Sequence, residues 1–184
     1  MALDAHEHLE HAEHAAHSND PFIALVSITI AILAVLAALT SSLETFESAG
    51  AIIAANKAVL FQDQATDQWS FYEAKSIKKN IYAIAADGSA ARAQDYLKKS
   101  KAEGADGDVA QADAKKLEHA REDQIKLSEV HENRHHRLTI GATLLEMGIA
   151  LSTIAIVTKK RWPWYTAGAL GGLGAVIAAL TYLL

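Results

Sequence analysis

The chain has 184 residues, 51% hydrophobic and 21% charged, with a formal net charge of −5. That charge is too small and too mixed for a nucleic-acid partner, and the absence of cysteine excludes a disulfide framework or a thiol site. The apolar residues are segregated: 22–43, 138–157 and 164–184 hold one charge between them, Glu146. Each approaches the roughly 20 apolar residues that span a bilayer.

Residues 1–20 are a low-complexity acidic tail, expected to be disordered, with His6, His8, His11, His14 and His17 among carboxylates and alanines. Imidazoles beside carboxylates suit zinc, nickel or copper, so these five are candidate metal ligands. Their spacing matches no closed structural site, and a pH-responsive solubilising tail is the simpler expectation. The tail lacks the basic start of a signal peptide, so the first apolar run reads as a retained span. Ser18-Asn19-Asp20-Pro21 is a helix start, a capping residue followed by proline in the first turn.

No proline follows Pro21 until Pro163, so the first helix is expected to run through 21–43 and on to residue 86. At 1.5 Å per residue that is roughly 100 Å. Within the membrane, Ala24, Ser27, Ala31, Ala34, Ala38 and Ser41 form a small-residue stripe suited to close helix packing. Beyond it, Phe46, Ile53 and Leu60 repeat at sevens, and Phe71, Ala74, Ile81 and Ile84 resume the expected seam. Asp87-Gly88-Ser89 stops the helix, Gly88 being suited to a left-handed cap.

A short helix is expected over 90–103, then a flexible loop at Gly104-Ala105-Asp106-Gly107-Asp108. The loop lacks the twelve-residue calcium pattern and its closing glutamate. From Val109, the positions Leu117, Ala120, Gln124, Leu127, His131, Arg134 and Leu138 keep a 3-4 spacing. The simplest fit is an antiparallel coiled-coil hairpin with paired positions summing to about 181. Glu44 and Glu47 then meet His131, Arg134 and Arg137 at the hairpin base.

In the second span, 138–158, Gly141, Gly148, Ser152 and Ala155 make the small face. Glu146, about 12 Å down this helix, is expected as a neutral interhelical carboxyl near Ser27 or Thr29. The turn at 159–163 is basic and aromatic. In the third span, 164–184, Gly168, Gly171, Gly172 and Ala175 form a glycine face that invites a second helix. Lys159, Lys160 and Arg161 favour a cytoplasmic turn, which places 44–137 on the opposite, periplasmic side.

The segment Asp67-Gln68-Trp69-Ser70-Phe71-Tyr72-Glu73-Ala74-Lys75-Ser76-Ile77-Lys78 resembles the signature of an uncharacterised family of bacterial membrane proteins, a domain of unknown function. Its pattern is Asp-x-Trp-x-x-Tyr-(Gln/Glu)-Ala-Lys-x-x-Lys after the first span. The His-rich start and Lys160-Arg161-Trp162 match it too. The resemblance implies a bacterial inner-membrane protein with three spans and a helical insertion, and no activity. The chain departs from it in lacking arginines before the first span and in carrying Glu146 where glutamine is expected.

The fold expected is therefore all-α: three transmembrane helices with a soluble helical hairpin, 44–137, between the first two. Trp69 and Tyr72 share a helix face with Lys75 and Lys78 near it, either as a docking patch or packed on 90–103. No nucleophile–base pair, phosphate loop or metal triad has the spacing an enzyme needs, and no cofactor is expected. Two functions remain. One is a non-catalytic, self-associating scaffold or accessory subunit, with the lipid bilayer, further copies and an unidentified membrane protein as partners. The other is an oligomeric ion or metal pathway, with Glu146 in the membrane and the His tail collecting ions.

Overall fold

A computed structural model describes residues 20–183. Among them are three α-helices and no strand: α1, Pro21–Asp87; α2, Ala93–Thr158; and α3, Trp162–Leu180. Each is long and apolar enough to cross a membrane. The five tail histidines lie outside the described residues.

α1 starts where Asp20 accepts the backbone N–H of Phe22 at 3.0 Å, with Pro21 in the first turn, where its missing N–H costs nothing. It ends without the left-handed glycine the sequence suggested, since no glycine among the described residues has positive φ. Instead the Gly88 N–H donates to the carbonyl of Ile84 at 3.2 Å, and the chain turns through 88–92. The left-handed residue is Lys159, φ 51°, which follows the end of α2. Pro163 then opens α3.

The loop expected at 104–108 is helix, an uninterrupted part of α2. Two glycines there cost about 1 kcal/mol each by propensity. They are held by what they touch: Gly104 lies against the Lys79 side chain, and Gly107 against Tyr72 and Lys75. Asp106 accepts from Lys75 at 2.7 Å. Tertiary contact outweighs local preference.

The described residues form two compact units. One comprises those up to Gly50 and from Val130 onward; the other is Ala51–Glu129. In the first, the packed column of α1 is Ile23, Val26, Ile30, Leu33, Ala37 and Thr40. It lies one residue to the N-terminal side of the expected small stripe. Ala24 and Ala31 are half-buried and Ala38 is exposed. The reason is where the small residues sit. They are on α2 and α3, and α1 supplies the bulk: a Cβ at Gly171 would collide with Leu33, and one at Gly148 would come within 3.2 Å of it. Leu145, Ile149 and Ala155 complete this core, with Ala175 and Trp164 packed on it. Gly141 and Gly174 are where α2 and α3 touch backbone to backbone. Gly168 and Gly172 instead face open space. Leu25, Ile28, Ile32, Val35 and Leu39 point outward.

In the second unit the buried residues are Ala54, Ala58, Ala65, Ala86, Gly107, Ala110, Ala114 and Ser100. Half-buried Ala51, Phe61, Gln68 and Tyr72 complete two heptad columns on α1, 54-61-68 and 51-58-65-72. The expected seam residues Ile53, Leu60, Phe71, Ile81 and Ile84 are all exposed, as is Phe46 in the first unit. The period of seven is right and the phase is one residue off. Alanines bring two helix axes close, which leaves the bulky side chains on the flank. Contacts between α1 and α2 fall in order. Ser128 Oγ donates to the Ala51 carbonyl at 3.0 Å, Arg121 to Gln62 at 2.6 Å, and Ser100 Oγ to the Lys79 carbonyl at 3.0 Å. Tyr82 stacks on Tyr96 at 6.3 Å. On α2, Leu117, Ala120 and Gln124 are half-buried; Leu127 is exposed, and Ser128 takes the inward place.

Candidate functional site

Two clusters of polar and aromatic side chains stand out, one in each unit. In the first unit, the α1 column that packs the apolar core continues past Thr40 by the same 3-4 spacing to Glu44 and Glu47. That continuation turns a carboxylate inward: Glu47 is only 6% exposed. His131 Nδ1 lies 2.5 Å from its Oε2, the Tyr182 hydroxyl donates to its Oε1 at 2.9 Å, and Arg134 stands 3.9 Å away. The Arg134 guanidinium also covers the Tyr182 ring at 5.5 Å. Gly50, one turn beyond Glu47, makes room for the imidazole, since a Cβ there would meet the His131 ring at 2.9 Å.

Burial alone would push the Glu47 carboxyl up. Hydrogen bonds from His131 and Tyr182, with the charges of His131 and Arg134, outweigh it and hold the group below its ordinary value. Glu44 is served separately, accepting from the Thr139 hydroxyl at 2.7 Å, with His135 Nδ1 3.8 Å from its carboxylate. Arg137 is exposed. Tyr182, Gly50, His135 and Thr139 were not singled out by sequence reasoning. The only signal for Tyr182 was its place as a tyrosine at the end of a span.

In the second unit, Trp69 donates its indole N–H to Glu118 Oε1 at 2.8 Å. Its ring meets Tyr72 edge-on at 5.7 Å. Lys75 is paired with Asp106 at 2.7 Å and Glu103 at 2.9 Å. Hydrogen bonds to those two carboxylates, Asp106 foremost, raise the ammonium above its ordinary value. Trp69 and Tyr72 are thus turned towards α2, against Glu118 and Gly107 rather than against 90–103, while Lys75 reaches Glu103 at the end of that stretch. What this stretch offers outward is Phe71, with the Lys75 ammonium 5.2 Å from its ring, and Lys78. Trp69→Phe is expected to cost about 1 kcal/mol, the worth of one hydrogen bond to a carboxylate in a partly wet site. Phe71→Ala should stay within about 0.5 kcal/mol. Denaturant unfolding followed by helical circular dichroism checks both.

Glu146 is not interhelical within the chain. It is exposed on the outer face of α2. The hydroxyls proposed for it are engaged elsewhere: Ser27 donates to the Ile23 carbonyl at 2.9 Å, and Thr29 donates to Leu25 and accepts from Trp164 at 3.1 Å. No group of three or more His, Asp or Glu that could hold a metal ion occurs among the described residues. No curated protein and no solved structure matches the chain. Residues 22–184 match the family described as "Domain of unknown function (DUF4337)", and the chain belongs to that family.

Proposed function

We propose that this chain is a non-catalytic, self-associating protein of the bacterial inner membrane, serving as a scaffold or accessory subunit of a membrane complex. Segment 44–137 is read as an antiparallel helical hairpin on the periplasmic side, and 159–163 as a cytoplasmic turn. The falling order of the α1–α2 contacts supports the hairpin, and exposed Lys159, Lys160 and Arg161 support the orientation. The observation that carries the function is the row of large apolar side chains left outward in 51–129. Ile52, Ile53, Val59, Leu60, Ile77, Ile81 and Ile84 are 53–72% exposed in a segment too polar to be lipid-embedded. Two apolar patches of that kind in water, 52–60 and 77–84, mark a protein-binding surface.

Native mass spectrometry of the detergent-extracted chain tests this. Wild type should carry a second copy or a companion protein. The Ile53→Lys/Leu60→Lys variant, which leaves the alanine columns untouched, should lose much of it at unchanged helix content. A wild-type chain that is always monomeric and alone overturns the reading. The outward Glu146 favours one second reading, an ion or metal pathway between copies; proton or metal flux into vesicles, lost in Glu146→Gln, would establish it.

A further inference from the structure

The second span carries an outward row that lipid does not explain. Thr143, Glu146, Ala150 and Thr153 follow one another by steps of three and four, so they share one face of α2. Thr143, Glu146 and Ala150 are exposed, and Thr153 partly so. The flanks of this row are apolar: Ile140, Met147 and Ile154 are 42–49% exposed. Glu146 lies eight residues beyond Leu138 and twelve before Thr158, near the middle of the bilayer. A carboxyl on an outer face at that depth costs a few kcal/mol against hydrocarbon, so such groups face protein or water.

We infer that this row is where two copies of the chain meet inside the membrane, an inference that rests on the self-association just proposed. Its chemistry is self-complementary. Insertion gives every copy the same orientation, so two copies are related by an axis along the bilayer normal and each residue on the axis meets its own equivalent. A lysine or arginine there would meet its like and be repelled. Carboxylic acid and hydroxyl groups both donate and accept hydrogen bonds, so each can pair with its own equivalent. Ala150, one turn below Glu146, lets the two backbones approach. The Thr143 and Thr153 hydroxyls already bond their own helix, at 2.8 Å to Thr139 and 2.7 Å to Ala150. Their oxygens can still accept from the facing carboxyl.

The cysteine-free sequence makes the test direct. Single cysteines are placed in the full chain, in phospholipid vesicles, at Thr143 and Ala150 on this face and at Leu39 and Val176 on the outer faces of α1 and α3. Oxidation should yield disulfide-linked dimers from the first pair and few from the second. Glu146→Leu, placed behind the Thr143 cysteine, should weaken dimerisation roughly tenfold, the worth of one polar contact between membrane helices, while Glu146→Gln should keep it. Dimers linked through Leu39 or Val176 instead would overturn the interface while leaving self-association standing. A chain monomeric in the same vesicles would overturn both. Labelling of the Thr143 cysteine by a membrane-impermeant charged thiol reagent would show a water-lined face, which also overturns it.

Discussion

Gly174→Val is expected to force α2 and α3 apart and to destabilise the membrane unit by about 3 kcal/mol, the upper part of the range for overpacking. A Cβ at Gly174 would stand 2.7 Å from the Gly141 carbonyl oxygen and 3.0 Å from the Leu144 Cβ. Neither atom can rotate away, because one is backbone and the other is fixed to it. The helices must therefore separate, and the hydrophobic effect does not pull them back, since lipid is as apolar as the contact it replaces. Gly172→Val is the control. Nothing lies within 4 Å of the position a Cβ would take, so the fold of a single chain should not respond. Unfolding in mixed micelles, followed by tryptophan fluorescence, separates the two. Equal loss from both variants would mean that the close contact with Gly141 does not set the cost, since valine has the better helix propensity of the two residues.

The helical organisation was legible because apolar runs of span length and uninterrupted helical periodicity are strong signals. The packing phase was not. In the apolar, span-length part of α1 the eye follows the small residues, yet the bulky residues one position earlier pack, because Gly148 and Gly171 on the other helices receive Leu33. Outside it the eye follows Phe46, Ile53 and Leu60, yet Ala54, Ala58 and Ala65 are buried. Alanine scores as weakly apolar, but a close helix pair needs its size more than its hydropathy. Segment 104–108 reads as a loop by composition, and only Lys79, Tyr72 and Lys75 across the helix pair explain why it is not. At the polar cluster, Glu47, His131 and Arg134 followed from matched height along two helices. Tyr182 comes from the turn that follows α3, 135 residues away from Glu47 in sequence, and no local spacing links them.

Glu47→Ala is expected to cost about 2 kcal/mol, the loss of hydrogen bonds to a charged acceptor together with two donors left without it. His131 should carry most of the coupling. Its nitrogen lies 2.5 Å from the carboxylate, whereas the Arg134 guanidinium is 3.9 Å away and half in solvent. A double-mutant cycle of Glu47→Ala with His131→Ala should therefore show an interaction of about 1–2 kcal/mol, and one with Arg134→Met less than about 0.5 kcal/mol. The dependence on pH has a definite sign. The folded Glu47 carboxyl is held below its unfolded value, so the unfolded chain binds its proton first as the medium is acidified. The stabilisation is complete above the ordinary glutamate range and is lost as pH falls through the lowered folded value. Wild type and Glu47→Gln should thus differ most near neutrality and converge in acid, measured as unfolding free energy at a series of pH values in micelles. A difference that widened towards acid would mean that the buried carboxyl is kept protonated, and that desolvation, not His131 and Tyr182, governs it.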